Sequence, residues 1–393
     1  MSMIAMVICH FDETNSLGGL ERQAGLLAKT LVDQGEQVVI LGSTRAFKNA
    51  RWTERSGVPV RLFWTYTSPQ LSGRHLPAAL IWAVQLLFWL VWHRKKVRVV
   101  HCHQLRIHAF VSSLARRWIG IPNVSKSATG GDGADIRAIG TRKYFGSWGR
   151  SFVIRNTDAF VATTDSIAND LIRFGVPSDK IRTIPNGLEI PDNIPSGPND
   201  RFRKCIFVGR FEDDKNVVPL AKAASDRLTD TNVSLDFYGG GSLEPEIKVV
   251  IQDGHQVNLK GQVDRIEPLL NGYGWLILPS KAEGLSNAML EAMTYGVVPV
   301  VTSVSGSVDH IVEGENGLFL QAGDSSGIAA GLDRIVGTTE EGWKSLSRSA
   351  MNYAQSRFDI NAVSLKYKKL YRDLEDQTSG LVAAKVYPTP GEP

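Results

Sequence analysis

The stretch PSKAEGLSNAMLEAMTYGVVP, residues 279–299, decides the fold of this chain. It follows the apolar run 275–278 and opens with a Pro-Ser step, which indicates a buried strand that ends in a loop. A helix is predicted next, with Ser286 or Asn287 as its N-cap and apolar side chains at helical spacing, namely Leu285, Ala288, Met289, Ala292 and Met293. Gly296 ends this helix, and residues 297–301 predict the next buried strand. This order of elements predicts a parallel α/β sheet.

Two glutamates on this stretch are spaced for a long anionic ligand. Glu283 precedes the helix, and Glu291 lies on the helix face that the apolar residues leave free. Their separation of eight residues is at most ~12 Å of helix rise, which roughly spans a diphosphate with a sugar at each end. Free N–H groups at the helix start suit the phosphates, those of Gly284, Leu285, Ser286 and Asn287. The stretch therefore predicts a nucleotide-sugar site, with one glutamate on the transferred sugar and the other on the ribose.

The whole run resembles the E-x7-E signature of retaining glycosyltransferases of the family GT4, which have the GT-B fold. Two glutamates at this spacing carry little information alone, because charged residues on a helix usually form its solvated face. The resemblance rests on the full order of a strand, the Glu283-Gly284 step, a small-residue helix with Glu291, and the pattern G-x-x-P-V-V from Gly296. It implies an α/β GT-B architecture: two doubly wound Rossmann-like domains that face a cleft, and a C-terminal helix that crosses back to the first domain.

The composition is that of an ordinary globular protein. The chain has 393 residues, of which 43% are hydrophobic and 21% charged, so two or three domains are expected. A net charge of +4 gives no reason to expect a nucleic-acid partner. Three dispersed cysteines, Cys9, Cys102 and Cys205, fit a reducing, cytoplasmic setting. The short apolar start at residues 4–9 predicts a first strand rather than a signal peptide.

The domain division follows from one linker and from the resemblance. Residues 190–200 hold three prolines without periodicity, which predicts a linker. We therefore expect an acceptor-side domain over 1–187, a linker over 188–200 and a nucleotide-sugar-binding domain over 201–357. The resemblance implies that a helix at 358–376 returns to the first domain, and the aperiodic residues 377–393 predict a disordered tail.

In the first domain, candidate site residues follow the early strands. Gly18 and Gly19 precede the first helix, where glycines let a phosphate or sugar approach backbone N–H groups; a plain turn is the alternative. The strand at 97–102 runs into His103, and GT4 proteins commonly have a histidine there that faces the donor sugar. An ordinary strand-end histidine is the alternative. His101 shares the face of His103, but no further ligand cluster lies near, so no metal site is expected.

A glycine-rich loop at residues 129–136 follows the next predicted strand. Its neighbourhood offers candidates for hydrogen bonds to acceptor hydroxyls, Lys126, Asp132 and Asp135. A plain surface turn is the alternative.

Residues 77–92, PAALIWAVQLLFWLVW, contain one polar side chain, Gln85, and are followed by the cations of residues 94–98. The run is short of the ~20 residues of a membrane span. A fully buried helix is one interpretation. The interpretation we favour is a helix that rests one face on the sheet and lays Trp82, Trp89 and Trp92 into a bilayer interface, with the cations on anionic headgroups.

The second half carries cations expected for a diphosphate. Gly209, Arg210 and Lys215 resemble the family's G-R-x-x-x-x-K loop, in which a guanidinium fork and an ammonium suit a leaving diphosphate. Gly239 opens a glycine-rich turn that in the family passes near the nucleotide, and the family uses the loop at Val263 against the base, mostly through backbone.

These residues predict a retaining glycosyltransferase that moves a sugar from a nucleoside-diphosphate sugar, UDP- or GDP-linked, to a hydroxyl. The cations and the helix start would stabilise the leaving diphosphate, so no metal or other cofactor is expected. The resemblance implies that the leaving phosphate acts as base on the same face, and no second carboxylate is placed as a nucleophile. The basic, tryptophan-rich first domain predicts a lipid-linked oligosaccharide or glycolipid acceptor in cell-surface polysaccharide assembly. The enzyme would be cytoplasmic, peripherally bound to the inner face of the plasma membrane through residues 77–98.

Three alternatives remain open at the sequence level. A soluble GT4 transferase with a small-molecule acceptor is the nearest, and in it the helix at 77–92 would be wholly buried. A GT-B sugar-nucleotide epimerase would reuse the fold for other chemistry. A non-catalytic nucleotide-sugar-binding partner would bind the donor without turnover, which the intact set of Arg210, Lys215, Glu283 and Glu291 argues against.

Overall fold

The computed structural model of this chain divides into two compact units. The first comprises Met1–Gly187 and Ile360–Pro393, and the second comprises Leu188–Asp359. The structure describes residues 2–9, 11, 19–67, 75–127, 129–130, 135–140, 146–192, 194, 197–251, 256–321 and 324–386. The first segment of the first unit therefore ends at Gly187, where the sequence placed the domain boundary. The second unit begins at Leu188, so the expected linker is not a separate element.

The first unit is built on one sheet with the strand order β3-β4-β2-β1-β5-β6-β7-β8. All its neighbouring strands are parallel except the antiparallel pair of β3 and β4. Its strands are β1 (Met3–Val7), β2 (Val38–Thr44), β3 (Trp52–Arg55), β4 (Val58–Trp64), β5 (Val97–His103), β6 (Asn123–Ser127), β7 (Ala159–Ala162) and β8 (Ile181–Thr183). The strand order reverses between β1 and β5, so ligands are expected beyond the carboxyl ends of these two strands.

Helices cover both faces of this sheet, because successive strand side chains point to opposite sides. Ile4 and Met6 of β1 pack in one cluster with the helices 19–33 and 360–386, while Ala5 and Val7 pack in another with the helices 76–92 and 107–119. The helices are α1 (Gly19–Asp33), α2 (Leu76–Trp92), α3 (Ile107–Ile119), α4 (Asp135–Gly140), α5 (Gly146–Asn156), α6 (Asp165–Arg173) and α14 (Ile360–Val386). The C-terminal helix thus packs on the first unit, as the resemblance implied.

The bounds of this last helix differ from the prediction. Phe358 is the final residue of the preceding helix and is buried in the second unit's core, so α14 begins at Ile360. The helix also runs to Val386, ten residues beyond the expected end at 376. Residues 381–386, LVAAKV, are mostly acceptable in a helix, which is the physical reason that α14 continues into the expected tail. Residues 387–393 lie outside the described part of the chain.

The second unit has a parallel sheet with the order β11-β10-β9-β12-β13-β14. Its strands are β9 (Lys204–Val208), β10 (Ser234–Tyr238), β11 (Val257–Gly261), β12 (Trp275–Leu278), β13 (Val298–Thr302) and β14 (Leu318–Leu320). Its helices are α7 (Val217–Leu228), α8 (Glu244–Val250), α9 (Glu267–Leu270), α10 (Asn287–Thr294), α11 (Ser305–Val308), α12 (Ser325–Gly337) and α13 (Glu340–Phe358). Numbered within the unit, the strand order is the 3-2-1-4-5-6 of doubly wound nucleotide-binding sheets, with its reversal between β9 and β12.

Candidate functional site

Residues 279–299 lie where the strand order of the second unit's sheet reverses, between β9 and β12. The strand β12 ends at Leu278, the loop with Glu283 follows, and α10 begins at Asn287. The neighbouring strand β9 ends at Val208 and leads directly to Gly209 and Arg210. Both candidate loops therefore leave the carboxyl ends of the two strands between which the order reverses, which is where such sheets bind ligands.

Helix α10 has the predicted cap and faces. The Ser286 hydroxyl accepts a hydrogen bond from the Met289 N–H, and Met289, Ala292 and Met293 are buried. Glu291 and Asn287 are only half-buried, as the spacing predicted. The helix begins only at Asn287, the last of the four proposed phosphate donors, so Gly284 and Leu285 lie in a buried loop before it. The N–H groups of the first helical turn begin at Asn287.

The loop before α10 is held tightly by Gly306. A side-chain Cβ at this position would lie 1.4 Å from the Gly284 carbonyl oxygen. Glu283, Gly284 and Ser286 line a small pocket together with Thr302 and Gly306. The path of the loop therefore depends on Gly306, which was not among the predicted site residues.

Four charged side chains form a row of ion pairs at this site, in which positive and negative groups alternate. The Lys215 ammonium donates to Glu283 Oε1 at 2.5 Å and lies 3.6 Å from Asp214, which in turn lies 3.4 Å from Arg210. Ser280 also donates to Glu283, at 3.1 Å. Lys215 and Glu283 are 15% and 19% exposed, whereas Arg210 is 71% exposed. The structure thus brings together the three residues predicted for donor chemistry and adds Asp214 and Ser280.

A second set of contacts joins the two loops. The Lys281 N–H donates to the Asp214 carbonyl at 2.9 Å, and the Lys281 ammonium lies 2.7 Å from Asp213. Sequence reasoning missed these acids because two aspartates in a loop look like ordinary surface charge. Asp213 and Asp214 directly precede Lys215 in the sequence, but Lys281, their partner in the second loop, is more than sixty residues away.

The glycine-rich turn after β10 packs against the Arg210 loop. Gly239 has a φ of +149°, and a Cβ there would lie 1.9 Å from the Gly209 carbonyl oxygen. The Phe211 N–H donates to the Gly240 carbonyl at 2.9 Å. Gly240 itself lies against Gln262, next to the 39%-exposed Val263. The loops after β9, β10 and β11 therefore meet at one edge of the sheet.

The first unit places its candidate residues at the corresponding edge of its own sheet. His103 is the last residue of β5 and is 2% exposed, and its ring lies 4.0 Å from that of His101. His101 Nδ1 and the Tyr371 hydroxyl of α14 form a 2.8 Å hydrogen bond. Burial, reinforced by nearby charges, holds the pKa of both histidines well below its ordinary value. His103 Nε2 is buried and has no hydrogen-bond partner among the described residues.

The acceptor-side candidates divide into described and undescribed residues. Lys126 of β6 is 7% exposed and donates to Asn186 at 2.8 Å, and burial lowers its pKa to about 8. Asp135 is buried and begins α4 rather than belonging to the loop, since an acidic residue suits a helix start. Gly19 begins α1. Gly18 and Asp132 lie outside the described residues.

Two of the three tryptophans of α2 do not lie where the favoured interpretation put them. Trp82 is fully buried and donates to the Gly42 carbonyl, and Trp89 is 6% exposed and stacks on His93. Only Trp92 of the three is exposed. The helix is not wholly buried either, because its outer face presents Leu80, Ile81, Val84, Phe88 and Val91 to solvent. Trp82 and Trp89 therefore belong to the core cluster against the sheet, whereas Trp92 lies with the apolar residues that face solvent.

The cations after α2 differ in their exposure to solvent. Arg94, Lys95 and Lys96 are exposed, but Arg98 is bound to Glu36 and Glu375 and belongs to a structural ion-pair network. None of the described helices is long and apolar enough to cross a membrane. The described residues also contain no cluster of histidine, cysteine and acidic side chains that could hold a metal ion.

Two family models match this chain. The Glycosyl transferase 4-like domain matches residues 18–187, and the Glycosyl transferases group 1 model matches residues 203–338. One match therefore falls on each unit, and the second includes the whole charged site between Arg210 and Glu291.

The chain is also similar to named proteins. The N-acetyl-alpha-D-glucosaminyl L-malate synthase of Bacillus anthracis is 24% identical over 308 residues, which cover 74% of this chain and 79% of the relative. The UDP-Gal:alpha-D-GlcNAc-diphosphoundecaprenol alpha-1,3-galactosyltransferase of Escherichia coli is 23% identical over 303 residues, or 72% of this chain and 76% of the relative. The structure of Anabaena HepE with UDP-glucose matches 95% of this chain and 100% of its own with a TM-score of 0.73, at 16% identity. The last similarity shows the fold alone.

Proposed function

This chain belongs to the glycosyltransferases of the GT-B fold, and we propose that it transfers a sugar from a nucleoside-diphosphate sugar to a lipid-linked acceptor. The acceptor would be an oligosaccharide or glycolipid in cell-surface polysaccharide assembly. The observation that carries this proposal is the chain of Arg210, Asp214, Lys215 and Glu283 beside the start of α10. It combines cations for a diphosphate with a carboxylate for a sugar hydroxyl.

In the proposed mechanism, the second unit stabilises the charge that develops on the leaving diphosphate. Lys215 has three N–H donors, of which one is directed to Glu283, so its ammonium can also bind a phosphate oxygen. The exposed Arg210 can turn its guanidinium from Asp214 toward the same diphosphate, and the first N–H groups of α10 add a partial positive charge. We propose that these groups act without a metal ion.

The two glutamates then have separate roles. Glu283 would accept hydrogen bonds from the donor sugar while Lys215 and Ser280 fix its orientation, and Glu291, on the half-buried face of α10, would bind the ribose. Retention of the anomeric configuration is part of the proposal, with the leaving phosphate taking the acceptor proton on the same face. His103 is neutral near pH 7 because its pKa is lowered, so it would serve as a hydrogen-bonding group rather than a cation.

UDP is the proposed nucleotide. The Escherichia coli relative is named for a UDP-linked donor, and the Anabaena structure contains UDP-glucose. The acceptor proposal draws on the same relative, whose name gives a diphosphoundecaprenol-linked acceptor. Lys126, Asp132 and Asp135 remain the proposed acceptor-side residues.

We also place the enzyme on the inner face of the plasma membrane. The exposed apolar face of α2, with Phe88 at 65% and Trp92 at 76% exposure, and the exposed cations at 94–96 support this location. The Bacillus anthracis relative is named for a malate product, so a small soluble acceptor is the second candidate.

The test is nucleotide release from a panel of UDP-, GDP- and ADP-sugars with native membranes as the source of acceptor. The variants are Glu283→Gln and, as a matched control, Glu315→Gln in an exposed turn. We expect release from a UDP-sugar that depends on membranes, is lost in Glu283→Gln and is unchanged in Glu315→Gln. Equal release without membranes would indicate simple hydrolysis of the donor or a small-molecule acceptor rather than a lipid-linked one, and nucleotide binding without any release would contradict the proposed transfer.

A further inference from the structure

An apolar groove runs between α2 and α3 of the first unit. Its cavity volume is about 190 Å³, and its lining includes Ala83, Leu87, Val111 and Leu114 from these two helices and Val153 from α5. An apolar cavity of about 150 Å³ in another protein stays dry and binds benzene. The groove is therefore large enough to hold several carbons of a hydrocarbon chain.

The outer edge of the groove is open to solvent. Leu80 and Val84 line it and are nevertheless 50% and 67% exposed. The same exposed face of α2 continues to Phe88 and Trp92. A continuous apolar face of this kind is stabilised when a lipid or another protein covers it.

The charge around the groove favours an anionic lipid over an apolar protein surface. No aspartate or glutamate occurs between Glu54 and Asp132. The same segment carries many cations, namely Arg55, Arg61, Arg74, Arg94, Lys95, Lys96, Arg98, Arg106, Arg116, Arg117 and Lys126. Arg98 pairs with Glu36 and Glu375, and Arg116 pairs with Asp158, so these two cations are neutralised within the fold. The other cations leave the segment that supplies α2 and α3 with a net positive charge, whereas the whole chain has a net charge of only +4.

One of these cations stands at the end of the groove. Arg106 is the charged residue among the described groove-lining side chains, and it immediately precedes α3. It follows the carboxyl end of β5 by three residues, so this end of the groove lies at the edge of the sheet that holds His103. Its guanidinium makes no hydrogen bond or close ion pair with any described residue. Burial raises the pKa of the half-buried Glu21, and the nearby charge of Arg106 offsets part of that rise.

We propose that the groove binds the hydrocarbon chain of the acceptor lipid next to its phosphate, and that Arg106 binds this phosphate. The inference rests on the proposed lipid-linked acceptor and specifies how it is recognised. A chain in the groove with its phosphate on Arg106 directs the attached saccharide toward the carboxyl edge of the first unit's sheet, where His103 and Lys126 lie. Recognition of the acceptor therefore uses the first prenyl or acyl carbons and one phosphate, besides its sugar.

The first experiment measures binding of alkyl phosphates, from hexyl to dodecyl and below their micelle concentrations, to the full-length enzyme by titration calorimetry. Each added methylene is expected to tighten binding by about 4-fold, the ratio that corresponds to ~0.8 kcal/mol per buried CH₂, until the groove is filled. The Arg106→Gln variant should bind dodecyl phosphate no more tightly than it binds dodecanol, which lacks the phosphate. Ala83→Phe, which fills the groove, should abolish the dependence on chain length.

Controls separate the groove from folding and from general membrane binding. Val84→Glu places a carboxylate at the exposed edge and should weaken dodecyl phosphate binding even if Ala83→Phe misfolds. Phe88→Gln, on the same helix outside the groove, should leave dodecyl phosphate binding unchanged. UDP binding, measured in parallel, should be the same in all four variants.

Transfer is tested separately from binding. Saturating dodecyl phosphate should inhibit membrane-dependent transfer, because it occupies the site of the acceptor chain. Binding without dependence on chain length, or equal binding by Val84→Glu and wild type, would overturn the inference whether or not transfer occurs. Transfer that proceeds unchanged in saturating dodecyl phosphate would also overturn it and would assign the groove to bulk membrane lipid. Absence of all transfer, with the expected binding pattern intact, would instead contradict the proposed function and leave the lipid-phosphate groove supported.

Discussion

The two sheets have their strand-order reversals in similar places but carry different chemistry there. At the second unit's reversal point, Arg210, Asp214, Lys215 and Glu283 alternate in sign and remain partly exposed. At the first unit's reversal point, His103 is buried beside His101, and neither is protonated near pH 7. Partly exposed ion pairs can exchange partners when an anion arrives, whereas a buried neutral pair keeps its geometry. The same topology therefore supplies a rearrangeable charged site in one unit and a fixed polar site in the other.

The largest expected effect tests the charged site. Lys215→Ala should lower kcat by about 10²–10³-fold, because it removes a cation that we propose stabilises the developing charge. The matched control is Lys281→Ala, whose ammonium lies 2.7 Å from Asp213 but is 51% exposed. This control should change kcat by less than about 3-fold, since exposed ion pairs contribute little. Initial rates of nucleotide release measure both variants, and equal losses would show that the two ion pairs are equivalent.

A smaller effect is expected where the charged site depends on backbone packing. Gly239→Ala should destabilise the second unit by about 3 kcal/mol, because φ is +149° and the new methyl would meet the Gly209 carbonyl. Gly261→Ala also has a positive φ, of +77°, but nothing lies within 4 Å of its Cβ position. It should cost only about 1 kcal/mol. Urea unfolding measures the difference, and equal costs would mean that φ alone matters.

The buried lysine of the first unit predicts a pH dependence of folding. The pKa of Lys126 falls from 10.5 to about 8 on folding. Between these values the unfolded chain binds one more proton at this lysine than the folded chain, so the contribution of Lys126 to the free energy of unfolding should rise with pH through this range, by about 2–3 kcal/mol. Burial raises the pKa of the thiols of Cys9, Cys102 and Cys205, and their titration in the unfolded chain lowers the total at high pH, so the prediction concerns the difference between wild type and variant. Lys126→Met should remove this rise.

Urea unfolding from pH 7 to pH 10.5 measures this dependence. Lys366→Met, on an exposed position of α14, is the matched control and should keep the rise. A wild-type profile that is parallel to that of Lys126→Met would contradict the prediction and would mean that Lys126 is solvated in the folded state.

The smallest expected effect concerns the contact between β5 and α14. Tyr371→Phe removes the hydroxyl that bonds His101 and should cost about 1–2 kcal/mol, because it leaves a buried ring nitrogen unpaired. Tyr367→Phe removes a buried hydroxyl that has no hydrogen-bond partner among the described residues, so it should be neutral or slightly stabilising. Thermal unfolding distinguishes them, and a larger loss in Tyr367→Phe would contradict the assignment of these two hydroxyls.

Much of the second unit's site could be predicted because its signals are local. The Ser286 cap, the buried face of α10 and the half-buried Glu291 all follow from the order of residues within one helical turn or two. Gly209 and Gly239 were predicted from the sequence as site residues. The structural reason that position 239 requires glycine was not predicted, because it is the close approach of the Gly209 carbonyl, thirty residues earlier in the chain. The bond between Lys215 and Glu283 joins residues 68 positions apart and has no local signal.

The first unit was harder to predict. Strands β3 and β4 and helix α5 were not anticipated, and the direction of Trp82 and Trp89 was predicted wrongly. A helix in which nearly every residue is apolar has no polar face to reveal which side is buried. The partner of Lys126 is Asn186, sixty residues away, and could be found only from the positions of β6 and of the segment that ends at Gly187.

The sequence by itself determined the family resemblance, the positions of Glu283 before helix α10 and Glu291 on it, and the cations proposed to bind a diphosphate. These depend on residue type and short-range spacing, which the backbone converts directly into geometry. Only the tertiary structure decided which face of α2 is exposed, which acids neutralise Lys215, and which groups surround the buried histidines. Those features depend on contacts between residues far apart in the chain, and such contacts are set by how the helices pack on each sheet rather than by any local pattern.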